Sequence, residues 1–331
     1  MNRRAFISSV AFGAVAVPRV TPGQPVRKVS RIGILSLAAT TSDLVGPQPR
    51  SAFVTALLRG LGELGYVYGE HFTTEPRAAE GRLERFPTLA AELVRLQVDV
   101  IVAAGPAVPA LKQATSTIPI VMGGSSDPVG LGYVHSLGRP GANVTGLSLQ
   151  AVETTGKRLE LLGELVPTAA PVAVLWDRKS SLRYWQAAEG AAKTRGWKLL
   201  SLEIRDASEI EAAFRTAIDA RAGALLVTAA GVLVPNARRV AELAEKSRLP
   251  AMYELRLYVE AGGLMCYGAD LTAIWRRAAV FVDKILKGAK PAALPIEQPS
   301  KFELVINLGA ANSIGLAIPP AMLARADEVI R

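Results

Sequence analysis

Ile118-Pro119-Ile120-Val121-Met122 and Leu249-Pro250-Ala251-Met252-Tyr253 echo each other in composition and in their place within the two halves of a 331-residue chain. Each is a short apolar run that reads as a strand. Upstream of the first, Arg31-Ile32-Gly33-Ile34-Leu35-Ser36-Leu37 reads as a strand buried on both faces, and Asp99-Val100-Ile101-Val102-Ala103-Ala104 as another. Between them residues 53–64 carry Phe53, Leu57, Leu61 and Leu64 at helical spacing and stop at Gly65, and residues 83–96 form the next helix. The second half repeats the scheme: Pro171-Val172-Ala173-Val174-Leu175-Trp176, a helix through Ala192, a strand over 197–204, and Ala224-Leu225-Leu226-Val227-Thr228. Strands alternating with helices imply mostly parallel sheets covered by helices. The expected fold is therefore α/β: two doubly wound parallel-sheet lobes joined by a multi-strand hinge, with a ligand cleft outside the strand C-termini.

The tail of the chain complicates a simple cut. Residues 262–268 are apolar and glycine-punctuated, 271–286 form an amphipathic helix ended by Lys287-Gly288, and Phe302-Glu303-Leu304-Val305-Ile306-Asn307 reads as a final strand. The chain is expected to cross between lobes near 145–150, 265–270 and 291–299. That assigns 28–147 with 268–292 to the first lobe, and 148–267 with 293–331 to the second.

Residues 1–27 read as an export signal and linker. Met1-Asn2-Arg3-Arg4-Ala5-Phe6-Ile7 opens an apolar stretch running to Val17, and the paired arginines before Phe6 resemble a twin-arginine signal. The stretch is too short to anchor in a bilayer, and no amphipathic pattern makes it a buried helix. No cysteine lies near it for a lipid anchor. A periplasmic location follows.

Composition excludes several functions. The net charge of +9 is spread in pairs such as Arg238-Arg239 and Arg276-Arg277, without the clustered basic run of a nucleic-acid surface. It reads as general surface charge that helps anionic ligands approach. Aromatics make up only 6% of residues, so the core is aliphatic. The single Cys266 forms no disulfide within the chain, and His71 and His135 are too far apart for a two-histidine zinc motif. No metal or cofactor is expected. No serine sits in a Gly-x-Ser-x-Gly elbow, and the histidines, His71 in a turn and His135 on a helix, lack evident partners, so no catalysis is expected.

Gly60-x-Gly62-x-x-Gly65 spells the dinucleotide fingerprint, but at the end of a helix instead of between a strand and a helix. Gly105-Pro106-Ala107 does follow a strand and start a helix, and serves either as an ordinary turn or as a cradle for a carboxylate. Ser125, in Gly123-Gly124-Ser125-Ser126-Asp127-Pro128, is a ligand candidate; Asp127 is a helix N-cap or a second contact. Across the cleft, Trp176 stacks on a ligand or joins the core, and Asp177 accepts a ligand ammonium. Thr228, Tyr253 and Asp270 hold corresponding strand-end or hinge positions, and Glu254 is set to pair with an arginine. The ligand head group is placed against Ala39, Thr40, Gly105, Pro106, Ala107 and Ser125, with Trp176 and Asp177 closing over it.

From Ile32 onward the chain resembles the family of ABC-transporter substrate-binding proteins that includes tryptophan-binding lipoproteins. The resemblance rests on Gly60-Leu61-Gly62-Glu63-Leu64-Gly65-Tyr66-Val67-Tyr68-Gly69-Glu70, Ile118-Pro119-Ile120-Val121, Ser126-Asp127-Pro128-Val129 and Arg139-Pro140-Gly141-Ala142-Asn143-Val144-Thr145-Gly146. Lys157-Arg158-Leu159-Glu160-Leu161-Leu162, Glu260-Ala261-Gly262-Gly263-Leu264-Met265 and Lys301-Phe302-Glu303-Leu304-Val305-Ile306-Asn307 complete it. It implies a type I periplasmic-binding fold, a small-molecule solute such as an amino acid or aromatic acid held between the lobes, no cofactor, and an ABC permease as partner to a monomeric protein. Two stretches depart from the family pattern. Trp176-Asp177-Arg178-Lys179-Ser180-Ser181 replaces small polar and proline residues, and Ala229-Ala230-Gly231-Val232-Leu233 is more apolar than a polar ligand loop. The same fold also serves an exported sensing subunit. A Rossmann-type oxidoreductase is disfavoured by the export signal and the misplaced glycines.

Overall fold

A computed structural model describes residues 28–168, 171–229 and 231–331; the export signal expected at 1–27 lies outside them. The first sheet holds β1 (Ser30–Ser36), β2 (Phe72–Ala78), β3 (Val100–Ala103), β4 (Ile120–Ser125) and β5 (Val144–Ser148), all parallel, in the order β2-β1-β3-β4-β5. β3 and β4 are buried at every residue, whereas β2 alternates buried and half-buried positions and carries Pro76. Proline has no N–H to donate to a ladder, which suits the sheet edge where β2 lies. Helices α1 (Ala52–Glu63), α2 (Phe86–Arg95) and α3 (Val108–Ala114) cover this sheet.

The second sheet begins after α4 (Thr155–Leu165). In chain order it contains β6 (Val172–Asp177), α5 (Arg178–Arg195), β7 (Leu199–Ile204), α6 (Ile210–Asp219), β8 (Ala224–Val227), α7 (Ala237–Lys246), β9 (Ala251–Tyr253), α8 (Arg256–Glu260) and β10 (Met265–Ala269). α9 (Leu271–Leu286), β11 (Phe302–Asn307), α10 (Leu308–Ser313), α11 (Pro320–Leu323) and β12 (Glu328–Ile330) follow. The strand order is β12-β11-β10-β9-β8-β6-β7, parallel except where β11 runs against β10. β12 has no counterpart in the sequence reading, because three residues give too little pattern to see.

α9 leaves the second sheet and packs on α1 and β4 of the first lobe. The contact is close because a Cβ on Gly60 would lie 2.4 Å from Arg276 O and 2.8 Å from Ala279 Cβ. Gly60 is thus a helix-packing glycine within α1, which accounts for the stray dinucleotide pattern. The chain passes between lobes at 149–154, at Asp270 and at 298–301. Residues 294–297 still belong with the first lobe, since Ile296 N bonds Leu137 O and Glu297 N bonds Gly146 O, at 2.7 and 3.0 Å. His135, expected on a helix, lies in an irregular loop where its N–H bonds Pro140 O at 3.0 Å; Pro140 and the glycines beside it break helical continuity.

Candidate ligand-binding cleft

A cavity of about 1050 Å³ opens between the lobes, lined by the C-terminal ends of strands from both sheets. From the first lobe come Ala38-Ala39 after β1, Gly105-Pro106 after β3, Gly123–Ser126 at the end of β4, and Phe53 from the start of α1. Asp177 and Lys179 reach it from the β6–α5 junction, Arg205-Asp206 follow β7, and Ala229, Gly231 and Val232 follow β8. Leu255 and Leu257 extend the second-lobe wall after β9. Most of this surface is aliphatic or aromatic.

Its aromatic part is an assembly of distant segments. Trp275 of α9 stacks on Phe53 of α1 with centroids 6.0 Å apart, and a Cβ on Gly123 would fall 2.7 Å from the Trp275 ring. Glycine at 123 is what lets the indole lie flat against β4. Phe86 and Tyr133 complete the first-lobe wall, and burial pushes the Tyr133 phenol up to about 12, so it stays a neutral hydrogen-bonding group. Sequence reading missed Phe53 and Trp275, because each lies on a helix face that reads as ordinary core.

Polar groups are few. Ser125 is 2% exposed, and its hydroxyl has no hydrogen-bond partner among the described residues. A buried hydroxyl without a partner is costly, which marks Ser125 as a group awaiting one. Opposite, Asp177 is buried and accepts the Lys179 N–H at 2.8 Å, so its carboxylate also caps the start of α5. At the rim Asp43 accepts from Thr40 N and hydroxyl, and these bonds hold its carboxyl below the usual range. Lys179 and Arg205 have no ion-pair partner among the described residues, and they share the second-lobe lip with Asp177, Asp206 and Glu260.

Of the residues expected to form the site, the fold brings Ala39, Gly105, Pro106, Ser125 and Asp177 to the cavity. Ala107 is fully buried one residue beyond it, and Thr40 turns away to bond Ser42 and Asp43. Trp176 is a correction: at 2% exposed it stacks on Trp185 at 5.7 Å and donates to Ser201 Oγ at 2.9 Å, deep in the second lobe. Neighbouring strand residues face opposite ways, so Trp176 points under α5. Thr228 is likewise internal, bonding Leu175 O and Ser181 Oγ at 3.2 and 3.3 Å. Tyr253 stacks on Tyr258 in the core, and Asp270 caps α9 by accepting Ala273 N at 3.0 Å. Asp127 starts a turn instead of a helix and accepts Gly130 N at 2.8 Å.

Asp127 has a second role that no local pattern shows. Both its oxygens accept Arg183 Nη1 of α5, at 2.9 and 2.8 Å, so the pair bridges the lobes across one rim. Gly81 faces Pro235 across the other. An exposed pair of this kind is worth at most about 1 kcal/mol to folding. Arg183→Ala is therefore expected to leave the unfolding midpoint nearly unchanged while enlarging the ligand-free radius of gyration in small-angle X-ray scattering. About 0.5 M salt should reproduce the change in the wild-type protein.

These features define a two-lobed α/β binding protein with its cleft at the facing sheet ends. Residues 42–330 match the model of the ABC transporter substrate binding protein family, and the chain belongs to that family. A tyrosine-binding protein of Clostridioides difficile is 26% identical over 253 residues, covering 76% of this chain and 72% of that one. Among solved structures, the ABC domain from Streptococcus pneumonia in complex with L-Trp superposes with a TM-score of 0.81 at 25% identity, over 92% of this chain and 100% of that chain. A conserved domain protein from Vibrio cholerae gives 0.81 at 27% identity, over 91% and 100%. Other neighbours share the fold alone, including a periplasmic binding protein of Burkholderia mallei at 14% identity and a TM-score of 0.57.

Proposed function

We propose that this protein is the exported, periplasmic solute-binding component of an ABC importer, and that it closes as a monomer on a carboxylate-bearing solute with an apolar body. An aromatic or large aliphatic amino acid fits best. The observation that carries this reading is the cleft itself: apolar and aromatic walls, one unpartnered serine hydroxyl on the first lobe, and one buried carboxylate on the second. The solute carboxylate takes the Ser125 hydroxyl, an ammonium takes Asp177, and the side chain lies along Phe53 and Trp275. The relatives that bind tyrosine and L-Trp support the same class.

Thermal denaturation of the signal-free protein against amino acids, aromatic acids, purines and sugars tests it. A ligand bound to the native state raises the melting temperature by mass action. L-Tryptophan or L-tyrosine is expected to give the largest shift. Ser125→Ala should cut that affinity by about tenfold, the worth of a hydrogen bond to a charged group. A shift with sugars only, or an unchanged affinity in Ser125→Ala, would sink the assignment.

A further inference from the structure

Arg158 of α4 is 1% exposed, and its guanidinium is spent on backbone where the chain leaves the second lobe. Nε donates to Tyr267 O at 2.8 Å, just before the crossing at Asp270. Both Nη atoms donate to Ala151 O, at 3.0 and 3.1 Å, within the crossing at 149–154, and Nη2 also reaches Thr154 Oγ1 at 2.7 Å. The Tyr184 ring lies 5.6 Å from the guanidinium carbon, and the Tyr184 hydroxyl donates to Glu254 Oε2. The same carboxylate oxygen accepts the Ala229 N–H at 3.2 Å. Ala229 and Leu255, which follows Glu254, both line the cleft. A continuous set of contacts thus runs from the cleft wall through Glu254, Tyr184 and Arg158 to two of the three crossings.

A buried carboxylate is expensive unless hydrogen-bonded and balanced by charge. Glu254 is 1% exposed, and Arg158 is the cation that acts on it. An arrangement that only filled space would be met as well by apolar side chains. What the acidic group adds is a directed acceptor for one backbone N–H of the cleft wall.

We propose that Glu254 is a positioning residue for solute binding: with Arg158 behind it, it sets the Ala229 segment of the cleft wall relative to the crossings on which the lobes turn. The wall and the two crossings then move as one unit, and a solute pressing on Ala229 and Leu255 acts on the hinge through hydrogen bonds instead of through loose packing. The affinity arm of the test rests on the cleft reading above; the distance arm does not.

Spin labels at Glu70→Cys and Asp219→Cys, exposed positions on opposite lobes, report the interlobe distance, and the buried Cys266 stays unlabelled. In the solute-free protein Glu254→Ala is expected to widen the distance distribution by about twofold. It should also weaken L-tryptophan binding by about tenfold. Glu254→Gln keeps an oxygen for the Ala229 N–H and the Tyr184 hydroxyl, and should stay near wild type in both, even where its melting temperature falls. Tyr184→Phe, which changes no charge, should lie between. A wild-type distribution in Glu254→Ala overturns the proposal. So do equal changes in the alanine and glutamine variants that merely follow their loss of stability. Should neither tryptophan nor tyrosine bind to the wild-type protein, the solute class is wrong, and the solute-free distances alone decide the role of Glu254.

Discussion

Arg158→Met is expected to cost about 3–5 kcal/mol of folding stability at neutral pH, since several buried hydrogen bonds to a charged group are lost together at about 1.5–3 kcal/mol each. Methionine fills much of the same space, so the loss comes from the bonds to Ala151 O and Tyr267 O and from the Glu254 carboxylate left without its cation. The penalty depends on pH with a definite sign. Burial already raises the Glu254 pKa above its ordinary 4.5, and Arg158 pulls it back. Without Arg158 it rises further. A carboxyl with a raised folded pKa contributes its full stability below the unfolded value and loses it as pH climbs through the folded one. The deficit of Arg158→Met should therefore be smallest near about pH 4 and grow toward about pH 7. Urea denaturation of both proteins at the two pH values checks this; a deficit independent of pH would remove Glu254 as the partner.

Gly123→Ala should strongly weaken solute binding. The new Cβ would stand 2.7 Å from Trp275 Cε2 and 2.8 Å from Nε1, so the indole must swing away from β4 and into the cavity. Overpacking of this kind costs about 1–3 kcal/mol. Here the displaced ring also takes the place of the solute, so affinity for L-tryptophan should drop by about tenfold to hundredfold. Isothermal titration gives the affinity, and the shorter side chain of Trp275→Leu in the Gly123→Ala background should restore part of it. Full affinity in Gly123→Ala would show that the solute does not use this wall.

Part of the candidate cleft was legible because parallel α/β sheets open their clefts outside the strand ends. Gly105-Pro106 lie just past β3, Ser125 and Asp177 are the last residues of β4 and β6, and each reaches the cavity. Trp176 shows the limit of that reasoning. It sits one residue before Asp177 on β6, and the alternation of side chains sends one to the cleft and the other under α5. Position near a strand end is read easily; the direction of a side chain needs the phase of the pleat and the helix that covers it. Thr228 also turned inward, and Tyr253, in register with the face that carries Asp177, is held in the core by its stack on Tyr258.

Legible along the chain were apolar runs separated by amphipathic helices, repeated in two halves, with enough ordered family motifs to state the lobes, the cleft and the kind of protein. Those are properties of neighbours along the chain, set by local hydrophobic period and by turn residues. Tertiary structure alone decided what stands across the cleft. Phe53 and Trp275 meet because α9 returns to α1 over Gly60, Arg183 finds Asp127 because two lobes close, and Arg158 gathers Ala151 and Tyr267 because two crossings pass side by side. Apart from Arg158 with Ala151, which are seven residues apart, these contacts join residues far apart in sequence, and nothing in the local pattern of either partner records the other.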